Sequence, residues 1–126
     1  MRVNRELSQE LAQKIKAIPN SCWLNAVEAL AYLPEQAAYI EGWIVEGESY
    51  QVVEYGWLAL NGEIIDTSLN TRNIWEYFPG LKLRNPPKQG HLLPFVYYYG
   101  LHSKQFESYQ EAFAEAQEVS KEKLRN

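Results

Sequence analysis

The spacing of apolar residues predicts three helices. Over residues 5–17, apolar side chains recur every three or four positions, which indicates a helix with one buried face. A second helix is predicted from about Ser21 to Leu33, and because it is apolar nearly all round we expect it to be buried. A third is predicted over residues 103–124, with acidic residues early and basic residues late, an order that suits the helix dipole.

The middle of the chain is richer in aromatic and β-branched residues, which favours strands over residues 37–45, 50–60 and 63–67. Asn61-Gly62 between the last two segments is typical of a two-residue hairpin turn. These patterns predict a small antiparallel sheet that follows the first helices in the sequence.

Beyond that hairpin the pattern is less regular. We predict a short helix over residues 71–78, ended by Pro79, and a short strand over residues 81–84. A further strand is predicted over residues 92–100, at an edge or with a bulge at Pro94. The fold class expected is α+β, with N-terminal helices on a small antiparallel sheet and a C-terminal helix, in a single domain of residues 1–126.

The composition restricts the function. The chain has 126 residues, 46% of them hydrophobic, and a net charge of −4, which does not favour binding to nucleic acid. Its one cysteine cannot form an internal disulfide or a multi-thiolate zinc site, and a lone thiol suits a reducing compartment. No stretch has the character of a secretory signal or a membrane span, so a cytoplasmic protein without membrane contact is expected.

The lone cysteine, Cys22, lies in the first turn of the second predicted helix. Unpaired backbone N–H groups at a helix start lower the pKa of a thiol and make it a better nucleophile. The alternative is structural, because a free cysteine is often simply a buried apolar residue.

The predicted hairpin groups three further side chains. With Asn61-Gly62 as the turn, Trp57 faces Asp66 across the two strands. Directly opposed residues share a face, as do residues two apart in one strand, so Tyr55 also points the same way. Tyr55 and Asp66 are then diagonal neighbours within reach of long side chains.

Four short motifs lie in the first half of the chain: Cys22-Trp23-Leu24-Asn25-Ala26, Tyr39-Ile40-Glu41-Gly42, Glu54-Tyr55-Gly56-Trp57 and Ile65-Asp66-Thr67-Ser68. Together they resemble motifs of small bacterial and phage proteins of the papain-like and transglutaminase-like superfamily. The resemblance implies a papain-like core, thiol-dependent cleavage or transfer at amide bonds, a nucleophile at Cys22 and an orienting acid at Asp66. The family's histidine position matches Tyr55, and Thr67 replaces the proline that follows the acid.

The tyrosine argues against ordinary catalysis. A phenol has a reference pKa near 10, against about 6.5 for imidazole, so it is a poor acceptor of a thiol proton near neutral pH. The two histidines of the chain, His91 and His102, are the alternative bases, although no spacing places either one near Cys22. The more ordinary interpretation of both is a solvent-exposed loop histidine.

Several polar and aromatic residues are weaker candidates. Asn25 from the first motif, with Trp43 and Trp57, are candidate substrate-binding residues; core packing is the alternative for the tryptophans. The acids between residues 41 and 54 are interpreted as a solvated face. No metal-binding pattern, phosphate loop or serine-hydrolase elbow is present, and we expect no metal and no cofactor.

Three functions remain open at this point. The first is a degenerate, non-catalytic member of the thiol-hydrolase fold that binds a protein or peptide. The second is an active cysteine hydrolase or acyl transferase that uses Cys22 with His91 or His102 as the base. The third is a small interaction protein in which Cys22 only packs. The sequence does not define the oligomeric state.

Overall fold

The computed structural model describes residues 1–69, 73–86, 94–97 and 104–125. The described part is α+β, with helices near the N-terminus, a five-stranded mixed sheet and a long C-terminal helix packed on that sheet. The elements in chain order are β1 (Arg2–Val3), α1 (Arg5–Ile15), α2 (Cys22–Leu30), β2 (Ala38–Glu46), β3 (Val52–Leu60), β4 (Glu63–Ile65), β5 (Ile74–Leu83), a 3-10 helix (Phe95–Tyr97) and α3 (Lys104–Arg125). In these ranges no helix has both the length and the apolar character needed to cross a membrane.

The strand order is β1-β4-β3-β2-β5. The predicted hairpin is confirmed: Leu60 pairs with Glu63, and both turn residues have positive φ, 51° at Asn61 and 78° at Gly62. The expectation of a purely antiparallel sheet needs one correction, because the N-terminal strand β1 adds to β4 in parallel.

The short length of β4 shapes the region around Cys22. β4 ends at Ile65, opposite Leu58, so the earlier residues of β3 have no strand beside them on that side. After Ile65 the chain turns, with the N–H of Leu69 donating to the carbonyl oxygen of Asp66 at 3.3 Å. The beginning of α2 occupies the side of β3 that β4 leaves open.

The helices share one face of the sheet. Tyr39, Leu58 and Leu81 project from the strands into one core cluster with Ala26 of α2 and Tyr109 of α3. The predicted burial of the second helix is confirmed for one face, whereas Glu28 and Tyr32 are exposed. Residues that alternate with these in the strands form a second cluster on the other face, which includes Ile40, Ile44, Tyr55 and Trp57.

The prediction of a helix over residues 71–78 is wrong for the part that the structure describes. Residues 74–83 form one strand, β5, with register shifts in its pairing to β2. The β-branched and aromatic residues of this segment suit a strand. Pro79, taken as a helix terminator, is tolerated because β5 is an edge strand and needs no donor on its outer side.

The predicted strand over residues 92–100 is wrong where it is described. Phe95–Tyr97 form a 3-10 helix, in which the N–H of Tyr97 donates to the carbonyl oxygen of Pro94 at 3.2 Å. The N–H groups of Phe95 and Val96 donate to a side-chain carboxylate instead of a neighbouring strand. The other residues of that prediction lie outside the described ranges.

Candidate functional site

Cys22 is the first residue of α2 and its side chain is buried, with 8% of the residue exposed. The sulfur accepts a hydrogen bond from the N–H of Gly56 at 3.3 Å. This N–H is available because β4 has already ended and provides no carbonyl group for it. A helix start and an N–H donor both favour negative charge on the sulfur.

Glycine at position 56 permits this approach. A Cβ atom there would lie 3.0 Å from the Cα and 3.1 Å from the Cβ of Trp23, closer than ordinary contact. Glycine inside a strand often marks such a close approach of a second backbone. The absence of a side chain thus lets the start of α2 lie directly against β3.

Asp66, which is 1% exposed, accepts hydrogen bonds from two tyrosines. Its Oδ1 accepts from the hydroxyl of Tyr55 at 3.0 Å and from the N–H of Ser68 at 2.9 Å, and its Oδ2 accepts from the hydroxyl of Tyr77 at 2.6 Å. The backbone N–H of Asp66 donates to Ser8 Oγ at 2.9 Å, which ties this corner to α1. The expected proximity of Tyr55 and Asp66 is observed, whereas their catalytic roles stay predictions.

The surroundings keep both phenols protonated. Burial is the largest cause that raises the pKa of Tyr55 far above 10, followed by the charge of Asp66 and then by that of Cys22. Burial and Asp66 raise the pKa of Tyr77 in the same direction. Cys22 and Tyr55 belong to the same cluster of buried residues.

Cys22, Tyr55 and Asp66 follow one another in the sequence as the members of a thiol-hydrolase triad do, but their chemistry differs from that of such a triad. In such a triad an imidazole donates one N–H to the acid and accepts the thiol proton on its second nitrogen. The Tyr55 hydroxyl has one proton, which it donates to Asp66. Its oxygen can still accept a hydrogen bond from a thiol, but it cannot take the proton away near neutral pH.

The three candidate substrate-binding residues lie in different places. The side-chain amide of Asn25 bonds both backbone groups of Ile18, at 2.9 and 2.8 Å, and the hydroxyl of Ser68 at 3.0 Å, so it braces the connection between α1 and α2. Trp43 points to the helix-covered face, where its Nε1–H donates to the carbonyl oxygen of Tyr109 at 3.1 Å. The structure therefore does not bring Trp43 to the Cys22 site.

Trp57 is on the same face as Tyr55 and borders an open groove. Its ring packs against the ring of Tyr77, with 5.1 Å between the centroids. The groove beside these rings has a volume of about 560 Å³, and Ile40, Ile74 and Trp75 contribute to its lining. The groove therefore adjoins the Asp66 hydrogen-bond network through Tyr77.

The interpretation of Glu41 as a solvated acid is wrong. Glu41 is 1% exposed and accepts hydrogen bonds from the hydroxyl of Tyr39 at 2.5 Å and from two backbone N–H groups of the 3-10 helix. Glu54 on β3 is partly buried and accepts from the hydroxyls of Tyr97 and Tyr109. The tertiary structure buries Glu41 because the 3-10 helix and α3 cover this part of the sheet.

Sequence reasoning missed two residues of the site. The sequence pattern predicts a helix at Tyr77, and only its place on β5 brings its hydroxyl to Asp66. The strand pattern gives Gly56 no role, although a glycine between Tyr55 and Trp57 is a signal of close backbone approach.

The remaining candidates add little to this site. His91 and His102, the alternative bases, lie outside the described residues. Among residues whose placement is described, no cluster of side chains suits a metal ion. Comparison with family models, curated proteins and solved structures finds no match for this chain.

Proposed function

We propose that this protein has a degenerate papain-like or transglutaminase-like fold and acts as a non-catalytic module that binds a protein or peptide. The observation that carries the proposal is the hydrogen bond from the Tyr55 hydroxyl to Asp66 Oδ1 at 3.0 Å. The phenol of Tyr55 keeps the hydrogen bond to the acid that a histidine would make, but it does not supply a base. The resemblance of the four motifs supports the fold assignment.

The loss of a base has a large effect on rate. General acid–base catalysis contributes about 10²–10⁴-fold, and a phenol whose pKa is raised by burial and by Asp66 does not replace it. Without that base, a nucleophile at Cys22 is expected to turn over slowly. Binding is then the function that the remaining features support.

The groove beside Trp57 and Tyr77 is the proposed binding surface. Its volume of about 560 Å³ and its mixture of aliphatic and aromatic lining suit apolar side chains of an extended peptide. Ile74 and Tyr77 line this groove and are partly exposed, whereas the ring of Trp75 packs against Tyr50 and under Lys123 of α3.

A selection from a phage-displayed library of random peptides tests the binding function. We expect enriched peptides to bind the wild type and to lose roughly tenfold or more in affinity, about 1.4 kcal/mol, in Ile74→Ala. Val53→Ala is the matched control, because Val53 is also a partly buried strand residue packed on the same cluster but does not line the groove. A failure to enrich peptides, or equal binding by the Ile74 variant, would contradict the proposal.

The second candidate is an active cysteine hydrolase or acyl transferase with His91 or His102 as the base. The observation that favours it is the position of the Cys22 sulfur at the start of α2, where it accepts the Gly56 N–H. The rate of alkylation of Cys22 by iodoacetamide across pH separates the two candidates. A midpoint at about 8.5 or above supports the non-catalytic protein, and a midpoint several units lower supports the enzyme.

A further inference from the structure

Residues 94–97 are attached to the sheet through two carboxylates. The N–H of Phe95 donates to Glu41 Oε2 at 2.6 Å, and the N–H of Val96 donates to Glu41 Oε1 at 2.9 Å. The hydroxyl of Tyr97 donates to Glu54 Oε2 at 2.6 Å. The polar attachment of this segment to β2 and β3 thus depends on two acidic side chains.

Neutral groups supply the hydrogen bonds to both acids. Besides the two N–H groups, Glu41 accepts from Tyr39, and Glu54 accepts from Tyr97 and from Tyr109 on α3. In the described ranges neither glutamate forms an ion pair. A buried carboxylate without a cation normally reduces its cost by taking up a proton.

The two acids also repel each other. Burial is the largest influence on Glu41 and raises its pKa, and the charge of Glu54 acts in the same direction. The hydrogen bonds from Tyr39, Phe95 and Val96 oppose this rise but do not cancel it. With residues 94–97 attached, the carboxyl group of Glu41 therefore holds its proton more tightly than a solvated glutamate does.

We infer that Glu41 and Glu54 form a carboxylate latch that holds residues 94–97 on the sheet, that Glu41 takes up a proton as the segment attaches, and that the latch weakens as pH rises. The direction follows from linkage. A carboxyl with a raised pKa in the attached state contributes its full stabilisation below its ordinary value of 4.5. That contribution is lost as pH rises through the attached-state value.

The other titratable groups around the latch do not change this direction. Tyr39 on β2 and Tyr109 on α3 have pKa values raised far above 10, and burial raises the pKa of Tyr97 to about 12. These phenols stay neutral while Glu41 titrates. A thiolate at Cys22 on α2 would raise the pKa of Tyr39 further.

Amide resonances of Phe95 and Val96 in the intact protein provide the test, since both N–H groups bond the titrating carboxylate. Across a pH series we expect both resonances to shift with one midpoint above 4.5, and the amide protection factor of Val96 to fall above that midpoint. Glu54→Gln removes the like charge and should lower the midpoint. Glu41→Gln should abolish the transition.

Glu48→Gln is the matched control, because it removes an exposed acid next to the end of β2 and should leave the midpoint unchanged. A wild-type midpoint at or below 4.5, or a midpoint unaffected by Glu54→Gln, would overturn the inference. If Glu41→Gln does not fold, the wild-type and Glu54→Gln titrations still decide the question.

Discussion

Replacing Tyr55 by phenylalanine removes one hydroxyl group and leaves the ring in place. The residue is 2% exposed, and its hydroxyl donates to the Asp66 carboxylate at 3.0 Å. A hydrogen bond to a charged group contributes about 1.5–3 kcal/mol, so the free energy of unfolding should fall by that amount. The ring contacts with Trp57 and Tyr77 are retained and do not add to the loss.

The expected change can be measured by urea unfolding followed by tryptophan fluorescence and by thermal unfolding. For a chain of 126 residues, an unfolding entropy of about 2.1 cal/mol/K per residue means that each ~1 kcal/mol lowers Tm by about 4 °C. The substitution should therefore lower Tm by about 6–12 °C. Tyr32→Phe is the control, since Tyr32 is 52% exposed and should change the free energy of unfolding by less than about 0.5 kcal/mol.

A double-mutant cycle with Asp66→Asn isolates the contact. If the phenol and the carboxylate interact as described, the effects of the two substitutions will not be additive. A change below about 0.5 kcal/mol for Tyr55→Phe, or strict additivity in the cycle, would refute the hydrogen-bonded pair and with it the basis of the proposed function.

One further substitution and one titration test the packing around this site. Gly56→Ala places a Cβ atom 3.0 Å from the Cα of Trp23, so we expect a loss of about 1–3 kcal/mol in unfolding free energy and faster alkylation of Cys22; unchanged stability would contradict the close approach. Buried Tyr39 and partly buried Tyr77 should remain protonated in an alkaline absorbance titration until the protein unfolds. Because their folded-state pKa values are raised, stability is complete below pH ~10 and is lost as pH rises beyond it, and early, reversible ionisation of all tyrosines would contradict this burial.

The hairpin and its neighbours illustrate how much of the site local sequence could predict. The turn at Asn61-Gly62 fixes the register of β3 and β4, and strand alternation then determines that Tyr55 and Asp66 share a face. Both steps use only contacts near in sequence, and the hydrogen bond between the two side chains agrees with them. The start of α2 at Cys22 could be predicted for the same reason.

Contacts between segments distant in the sequence could not be predicted. Tyr77 reaches Asp66 only because residues 74–83 join β2 as an edge strand, and a pattern containing Pro79-Gly80 did not reveal that pairing. Glu41 carries a charge, which by itself suggests exposure. Its burial depends on Phe95, more than fifty residues later in the chain.

The amino-acid sequence by itself determined the helices α1, α2 and α3, the central hairpin and the pairing of Tyr55 with Asp66, because capping, apolar periodicity and turn geometry act over a few residues. Only the tertiary structure decided that the Cys22 sulfur meets the Gly56 N–H, that a second phenol binds Asp66, and that Glu41 is enclosed. These contacts depend on where β4 ends and on what packs over the sheet, and both are set by the free energy of the whole chain.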